Sequence, residues 1–258
     1  MVHVVDITKL NLEDEVKYKL MCGVEITLQH IKVKDWYMIE PCLNLIKIYK
    51  NEINDPNVIM MSYLDYIKSI CEEEDTNMMF SLLITYTIKE SMGNYGGWTK
   101  SKNKNVYVIT DKDKNILFYI NNKDFEDIKK IILYQNFYNY DDTYINPEIR
   151  KAIEKQRKIE MKGYSSPTLE KQKIFVMGKT GFTKDALNNM TYREFSQLYK
   201  QKVDEDIYFA RNIIKSGYSC TIEGTIIHPL FQKETGALEE ILIDADTFKN
   251  KVQQVNNN

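Results

Sequence analysis

The sequence has little of the residue types that carry metal and redox chemistry. Its three histidines, His3, His30 and His228, are not spaced as in H-x-x-x-H or H-E-x-x-H. Its four cysteines lie far apart and form no C-x-x-C pair; they are Cys22, Cys42, Cys71 and Cys220. These spacings favour neither a zinc site nor a disulfide framework, and they predict reduced, buried thiols.

Long apolar runs and an excess of one charge are also absent. The longest apolar run, residues 78–88, is shorter than the roughly 20 residues that a membrane span needs. The N-terminal sequence lacks the basic and then apolar segments of a signal peptide. The 35 basic and 37 acidic residues give a net charge of −2, so no overall field attracts a polyanion. We therefore expect a soluble intracellular protein that binds neither nucleic acid nor membranes.

Part of a nucleotide-binding loop is present without the rest of it. Gly178-Lys179-Thr180 matches the end of G-x-x-x-x-G-K-[ST], whose first glycine lets the backbone curl around phosphates. Lys173 occupies the position of that first glycine, and the residues before Gly178 have helical character. We therefore expect no nucleotide, and instead a helix that stops at Gly178, a turn through Gly181 and a helix restart capped by Thr183.

No other arrangement of catalytic residues is recognisable. The acidic run 72–75 lies between two predicted helices, where such a run is usually a solvated connector. Asp141-Asp142 lies among tyrosines and is typical of an adhesive loop. No G-x-S-x-G motif occurs, and no cysteine has a nearby histidine. We expect no catalytic, cofactor-binding or metal-binding residues, although an enzyme of an unrecognised type stays open.

Hydrophobic periodicity predicts an α+β fold that is mainly α-helical. Near the start, an alternating stretch leads to Thr27 as the cap of a short turn, and a helix follows Pro41. Two further helices follow, the second capped by Thr76 and apolar almost all round. We interpret residues 1–162 as an N-terminal α+β domain.

A change of period in the same domain predicts strands. The glycines at 93, 96 and 97 end the helical pattern. The pattern that follows predicts a β-hairpin at about residues 105–120. Asn122 is placed to cap the next helix, and Pro147 suits the first position of a strongly charged one.

Residues 163–250 are predicted to form a C-terminal helical domain, followed by a frayed tail at 251–258. Thr191 and Glu194 have the capping-box form at the start of the longest helix, which ends at Gly217. An apolar stripe runs along that helix at steps of three or four residues. Its members are Tyr192, Phe195, Tyr199, Val203, Ile207, Ala210 and Ile214.

Two local patterns resemble a known class of proteins. The first is NNKDFEDIKKIILYQN followed by INPEIRKAIEKQRK, in which a hydrophobic helix ends in Gln135-Asn136 before a basic helix. The second is TGFTKDALNNMTYREFSQLYKQKVDEDIYFARNIIKSGY, with its aromatic-rich long helix. Together they resemble tail assembly chaperones of tailed bacteriophages that infect Gram-positive bacteria, over about the final 140 residues. The ending HPLFQKETGALEEILIDADTF departs from the tryptophan-containing ending of such proteins.

The resemblance implies a non-enzymatic protein that binds the tape measure protein or the tail tube, or a second copy of itself, during tail assembly in the host cytoplasm. A permanent virion component of the tail, connector or baseplate is the alternative. The 18 tyrosines and 11 methionines suit protein interfaces, although A/T-rich coding also explains tyrosine enrichment. The predicted partner-binding residues are Tyr192, Phe195, Tyr199, Tyr138, Tyr140 and Tyr144.

Overall fold

The computed structural model describes residues 14–48, 53, 55–138, 140, 147–160 and 167–217. The strands in this part are β1 Val16–Lys19, β2 Glu25–Leu28, β3 Tyr95–Ser101, β4 Lys104–Thr110 and β5 Ile116–Ile120. The α-helices there are α1 Trp36–Ile46, α2 Pro56–Met60, α3 Tyr63–Ile70, α4 Glu74–Thr87, α5 Asn122–Asn136, α6 Pro147–Glu160, α7 Leu169–Thr180, α8 Lys184–Asn189 and α9 Tyr192–Gly217. Helices predominate over two small antiparallel sheets, which confirms the predicted α+β, mainly helical class.

The chain divides into two compact units. The first consists of Met1–Tyr138 with Thr180–Gln197, and the second of Asn139–Lys179 with Leu198–Asn258. Helix α9 begins in the first unit and continues in the second. The predicted boundary after residue 162 and the predicted tail at 251–258 lie outside the described residues, so both stay predictions.

Strands β1 and β2 form an antiparallel hairpin in the first unit. Gly23 has a φ of 91°, a backbone conformation that glycine adopts without steric cost. Ile26 and Leu28 are fully buried, and they alternate along β2 with the exposed Glu25 and the half-buried Thr27. The predicted cap of a short turn at Thr27 is wrong, because Thr27 belongs to β2 and its N–H donates to Glu90 Oε2 at 2.7 Å.

Strands β4 and β5 confirm the predicted hairpin at about 105–120. They pair antiparallel, and β3 pairs with β4 on the other side. The β4–β5 turn is closed by Asp111, whose Oδ1 accepts the N–H groups of Asp113 at 2.9 Å and Asn115 at 2.8 Å. An aspartate that bonds the backbone two residues on is a common turn-former.

Strand β3 occupies the stretch where the glycines predicted only a break. Gly96 and Gly97 lie inside the strand. The ring of Tyr107, from β4, crosses the backbone of Gly96 so closely that a Cβ there would overlap the tyrosine hydroxyl. Tyr107 is buried and shares a hydrogen bond of 2.8 Å with Ser81. Gly96 is thus a strand glycine that makes room for an aromatic ring.

The core of the sheet region is aromatic. Phe80 from α4 lies 4.9 Å from Tyr107, 5.2 Å from Trp98 and 5.7 Å from Phe125, measured between ring centroids. These edge-to-face and stacked arrangements are the ones that aromatic quadrupoles favour. Helix α4 is not covered all round as its apolar composition predicted, since Met78 is exposed.

Helix α1 begins at Trp36, before Pro41 and not after it, so that prediction is wrong. Ile39, Leu43 and Ile46 are buried along one side of the helix. A mid-helix proline costs about 3 kcal/mol, whereas each fully buried aliphatic side chain contributes about 1.5–3 kcal/mol. The burial of this apolar side therefore outweighs the backbone hydrogen bond that Pro41 cannot donate.

Two predicted helix caps are displaced, one by three residues and the other by one. Helix α4 begins at Glu74, so Thr76 lies within its first turn and does not cap it. Asn121, and not Asn122, caps α5, because its side chain accepts the backbone N–H groups of residues 123 and 124. Pro147 is the first residue of α6, as predicted.

Helix α7 continues through Gly178 and ends at Thr180, so the predicted stop at Gly178 is wrong. The next residue, Gly181, has a φ of 75°, the left-handed conformation that often ends a helix. Thr183 caps α8 by accepting the N–H of Ala186 at 3.2 Å, as predicted.

The capping box of α9 is present as predicted. The N–H of Thr191 donates to Glu194 Oε2 at 3.0 Å, and the N–H of Glu194 donates to Thr191 Oγ1 at 3.2 Å. The helix continues for 26 residues to Gly217, which confirms its predicted extent. Among the described residues, no helix has the length and apolar character needed to cross a bilayer.

Candidate protein-binding surface

The first turns of α9 hold two of the predicted partner-binding residues, and both pack inside the first unit. Tyr192 stacks on Trp36 with ring centroids 3.2 Å apart and planes 4° apart, and Phe137 meets Trp36 edge-on at 5.6 Å. Phe195 is completely buried. Burial also raises the pKa of the half-buried Tyr192 phenol above its ordinary value. Phe195 therefore offers no surface to a partner, and Tyr192 mainly attaches α9 to α1.

The tyrosines of the predicted acidic loop have mixed positions. Tyr138 and Tyr140 are half-buried and make contacts of their own. Tyr144 lies outside the described residues. The role of these three side chains in binding stays a prediction.

Tyr199, the remaining predicted residue, packs against α7 within the second unit. Its ring is half-buried and meets Phe175 edge-on, with centroids 5.7 Å apart. Further along both helices, Lys179 forms an ion pair of 2.6 Å with Asp206. Because both contacts advance in the same direction along the two helices, α7 and α9 run parallel.

Helix α9 extends well beyond the end of α7. Lys179 is one residue from the end of α7 and is paired with Asp206. The remaining residues of α9, 207–217, span about 16 Å at 1.5 Å per residue. In this part of the helix α7 does not cover the apolar side chains.

Four large apolar side chains are exposed on this part of α9, and we call them the distal α9 face. Their exposed fractions are 45% for Ile207, 56% for Phe209, 64% for Ile213 and 40% for Ile214. Ile207 and Ile214 belong to the predicted stripe, whereas Phe209 and Ile213 do not. The spacing of four between Phe209 and Ile213 widens the apolar side of the helix where the cover of α7 ends.

The described side chains of the second unit include few buried apolar ones and several exposed ones. Among its described side chains, the buried apolar ones are Ile153, Leu169 and Val176. Its large exposed apolar side chains include Ile149 and Ile174 in addition to the distal α9 face. Exposed apolar patches beyond a few hundred Å² are uncommon on soluble monomers and often mark interaction sites.

In the described part of the chain, the side chains that a metal site or a phosphate loop would use take part in the fold instead. No three or more His, Cys, Asp and Glu side chains are grouped there as a metal site requires. Gly178-Lys179-Thr180 ends a helix and does not precede one, and Lys179 is paired with Asp206. A phosphate loop needs free backbone N–H groups at a helix start, and this stretch does not provide them.

A buried acidic residue attaches the first hairpin to α5. Asp124 is fully buried, and its Oδ1 accepts the N–H of Met21 at 3.0 Å. The hydroxyl of Tyr18 donates to Asp127 Oδ2 at 3.0 Å. Burial raises the pKa of the Asp124 carboxyl, although the hydrogen bond from Met21 acts in the opposite direction. Burial and the negative charge of Asp127 raise the pKa of Tyr18.

The Gln135-Asn136 pair that carries part of the resemblance is structural. Asn136 Oδ1 accepts the N–H of Ile31 at 3.0 Å, and its Nδ2 donates to the backbone of Ile132 at 2.8 Å. Gln135 is fully buried, and its backbone oxygen accepts a hydrogen bond of 3.0 Å from His30 Nδ1. These contacts fix the end of α5 against the segment that follows β2.

Comparison of the chain with protein-family models, with curated proteins and with solved structures finds no match.

Proposed function

We propose that this chain is a non-enzymatic protein that binds another polypeptide through the distal α9 face. The observation that carries the proposal is the exposure of four large apolar side chains on one helix end, where the neighbouring helix α7 has already ended. Removing such side chains from water favours association by roughly 25 cal/mol per Å² of apolar area, from which the entropic cost of association is subtracted.

The shape of the surface favours a helical partner. Ile207 and Ile214 are separated by seven residues and lie on one side of α9, while Phe209 and Ile213 extend that side. Apolar residues at helical spacing are the contacts used when an amphipathic helix packs against another. A helix placed in line with α7 would meet these side chains.

The resemblance to tail assembly chaperones supports the class of partner. We propose that the partner is a bacteriophage tail protein, either the tape measure protein or the tail tube, and that binding takes place in the host cytoplasm during tail assembly. A tape measure protein offers long apolar helices, which need cover before they are built into the tail. In the alternative, the chain stays in the virion tail as a fixed component.

The direct test is a binding measurement with purified tape measure and tail tube proteins encoded beside this chain. Phe209→Asp combined with Ile213→Asp places charge in the distal α9 face, and we expect affinity to fall by about tenfold or more. The matched control is Ile116→Asp on β5, which is 66% exposed and lies in the first unit. Binding that survives the double substitution would contradict the proposed surface.

A second measurement separates the chaperone from the virion component. Purified phage particles are analysed by quantitative mass spectrometry for this chain relative to the tail tube protein. A chaperone is absent or far below stoichiometric amounts. A fixed ratio in mature particles supports the structural alternative.

A further inference from the structure

The distal α9 face is followed along the chain by a segment with complementary properties. Residues 237–247 carry four acidic side chains and no basic ones. The part of α9 that bears the face, residues 207–217, has Arg211 and Lys215 and no acidic residue. Arg211 is exposed, four residues after Ile207 and three before Ile214, so it lies at the edge of the face.

The acidic segment also has an apolar side of its own. Leu238, Ile241, Leu242 and Ala245 follow the spacing i, i+3, i+4, i+7, which is the pattern of one side of an amphipathic helix. Three of its four acidic residues fall between these positions, and Asp246 follows the last of them. The segment therefore combines what the distal α9 face requires: apolar side chains to cover it and negative charge for its basic edge.

We propose that residues 237–247 dock on the distal α9 face of their own chain. Residues 218–236 form the connection, which is 19 residues long. A chain of that length reaches up to roughly 60 Å when extended, which is enough to retrace the 16 Å or so of α9. The effective concentration of a segment tethered this way is in the millimolar range, well above the micromolar concentrations at which a second copy competes.

Docking gives the proposed binding surface a built-in competitor. A tail protein that binds the distal α9 face has to displace residues 237–247 first. This competition rests on the proposed function, whereas the docking does not.

Hydrogen exchange on the full chain, without any partner, tests the docking. Leu238→Asp, Ile241→Asp and Leu242→Asp are combined in one variant, and exchange is followed for the amides of residues 207–217. We expect those amides to exchange about tenfold faster or more than in the original chain. The control combines Val252→Asp with Val255→Asp, outside the acidic segment, and leaves their exchange unchanged. Unchanged exchange in α5 shows in each case that the first unit remains folded.

Reversing the charges of Arg211 and of the acidic segment provides an independent measurement. Arg211→Glu is expected to accelerate exchange in residues 207–217, and adding Glu239→Lys with Glu240→Lys is expected to restore protection. The proposal is overturned if the triple apolar variant exchanges like the original chain. It is also overturned if protection rises with protein concentration, since that would identify a second copy as the occupant. If residues 237–247 do not dock, the binding measurement with tail proteins still tests the proposed function, so the two proposals fail separately.

Discussion

The indole of Trp36 and the phenol of Tyr192 stack almost parallel, at 4°. This contact joins α1 to the first turn of α9, and the backbone supports it, since the N–H of Tyr192 donates to the carbonyl of Ile31 at 2.9 Å. The long helix is therefore attached to the first unit by an aromatic pair together with main-chain hydrogen bonds.

Tyr192→Ala is expected to lower the free energy of unfolding of the first unit by about 2–4 kcal/mol, because it removes the stacked ring and leaves a cavity beside Trp36. Tyr192→Phe keeps the stacking and should cost less than about 1.5 kcal/mol. Urea unfolding followed by tryptophan fluorescence measures both. Equal losses in the two variants would show that the hydroxyl, and not the ring contact, is what stabilises the pair.

Gly96 and Gly97 offer a matched pair of substitutions in β3. A Cβ at Gly96 overlaps the Tyr107 hydroxyl, whereas a Cβ at Gly97 meets no atom within 4 Å. Gly96→Ala should therefore destabilise the protein by about 1–3 kcal/mol, because a packed core resists an added methyl group. Gly97→Ala should change stability by less than about 1 kcal/mol. Thermal unfolding of both variants checks this, and a similar melting temperature for the two would contradict it.

The raised pKa of Asp124 predicts a pH dependence with a definite sign. In the folded protein this carboxyl binds a proton more readily than in the unfolded chain, so its contribution to stability increases as the pH falls through its folded pKa. At neutral pH its buried charge opposes folding.

Asp124→Asn keeps an oxygen that can accept the N–H of Met21 and removes this titration. We expect the variant to be at least as stable as the original chain at pH 7, and to lose that advantage as the pH is lowered towards about 4. Urea unfolding at a series of pH values measures the difference. A difference that does not vary with pH would show that Asp124 titrates alike in both states.

Asn136→Ala removes the amide oxygen and nitrogen that form two buried hydrogen bonds, one with the N–H of Ile31 and one with the carbonyl of Ile132. The N–H of Ile31 is then left unpaired in the interior, which costs about 1–3 kcal/mol beyond the lost contact. The control is Asn189→Ala, since Asn189 makes the same i−4 bond to its own helix, to Asp185, but is exposed. We expect the control to change stability by less than about 0.5 kcal/mol. Calorimetry that finds equal losses would refute the structural role of Asn136.

Local signals in the sequence predicted those elements whose ends are fixed by local chemistry. The capping box of Thr191 and Glu194, the cap at Thr183 and the strands around the Asp111 turn all depend on residues within a few positions of one another. Such contacts form regardless of what packs from elsewhere, so a single sequence is enough to predict them.

Elements fixed by distant contacts were predicted less well. Gly96 looks like a strand breaker until Tyr107 is placed across it. Pro41 looks like a helix start until the buried side of α1 is known. In both cases tertiary packing outweighs a local preference, which periodicity alone does not reveal.

The candidate surface shows the same limit. Periodicity correctly predicted one long apolar stripe on α9 but did not distinguish the part that packs internally from the part that is exposed. Phe195 and Tyr192 lie at the internal end of the stripe, and Ile207 and Ile214 lie at its exposed end. The signal that could have separated them is the length of α7, which became visible only through the pairing of Lys179 with Asp206.

The end of α7 also determines how much apolar area this protein offers. Gly181, in its left-handed conformation, ends that helix beside Asp206. Two more turns of α7, or about seven residues and 10 Å, would reach past Ile213. Insertions or deletions just before Gly181 would thus adjust the size of the proposed binding surface without altering a single residue of it. The length of α7 would in this way set how tightly the exposed part of α9 binds a partner.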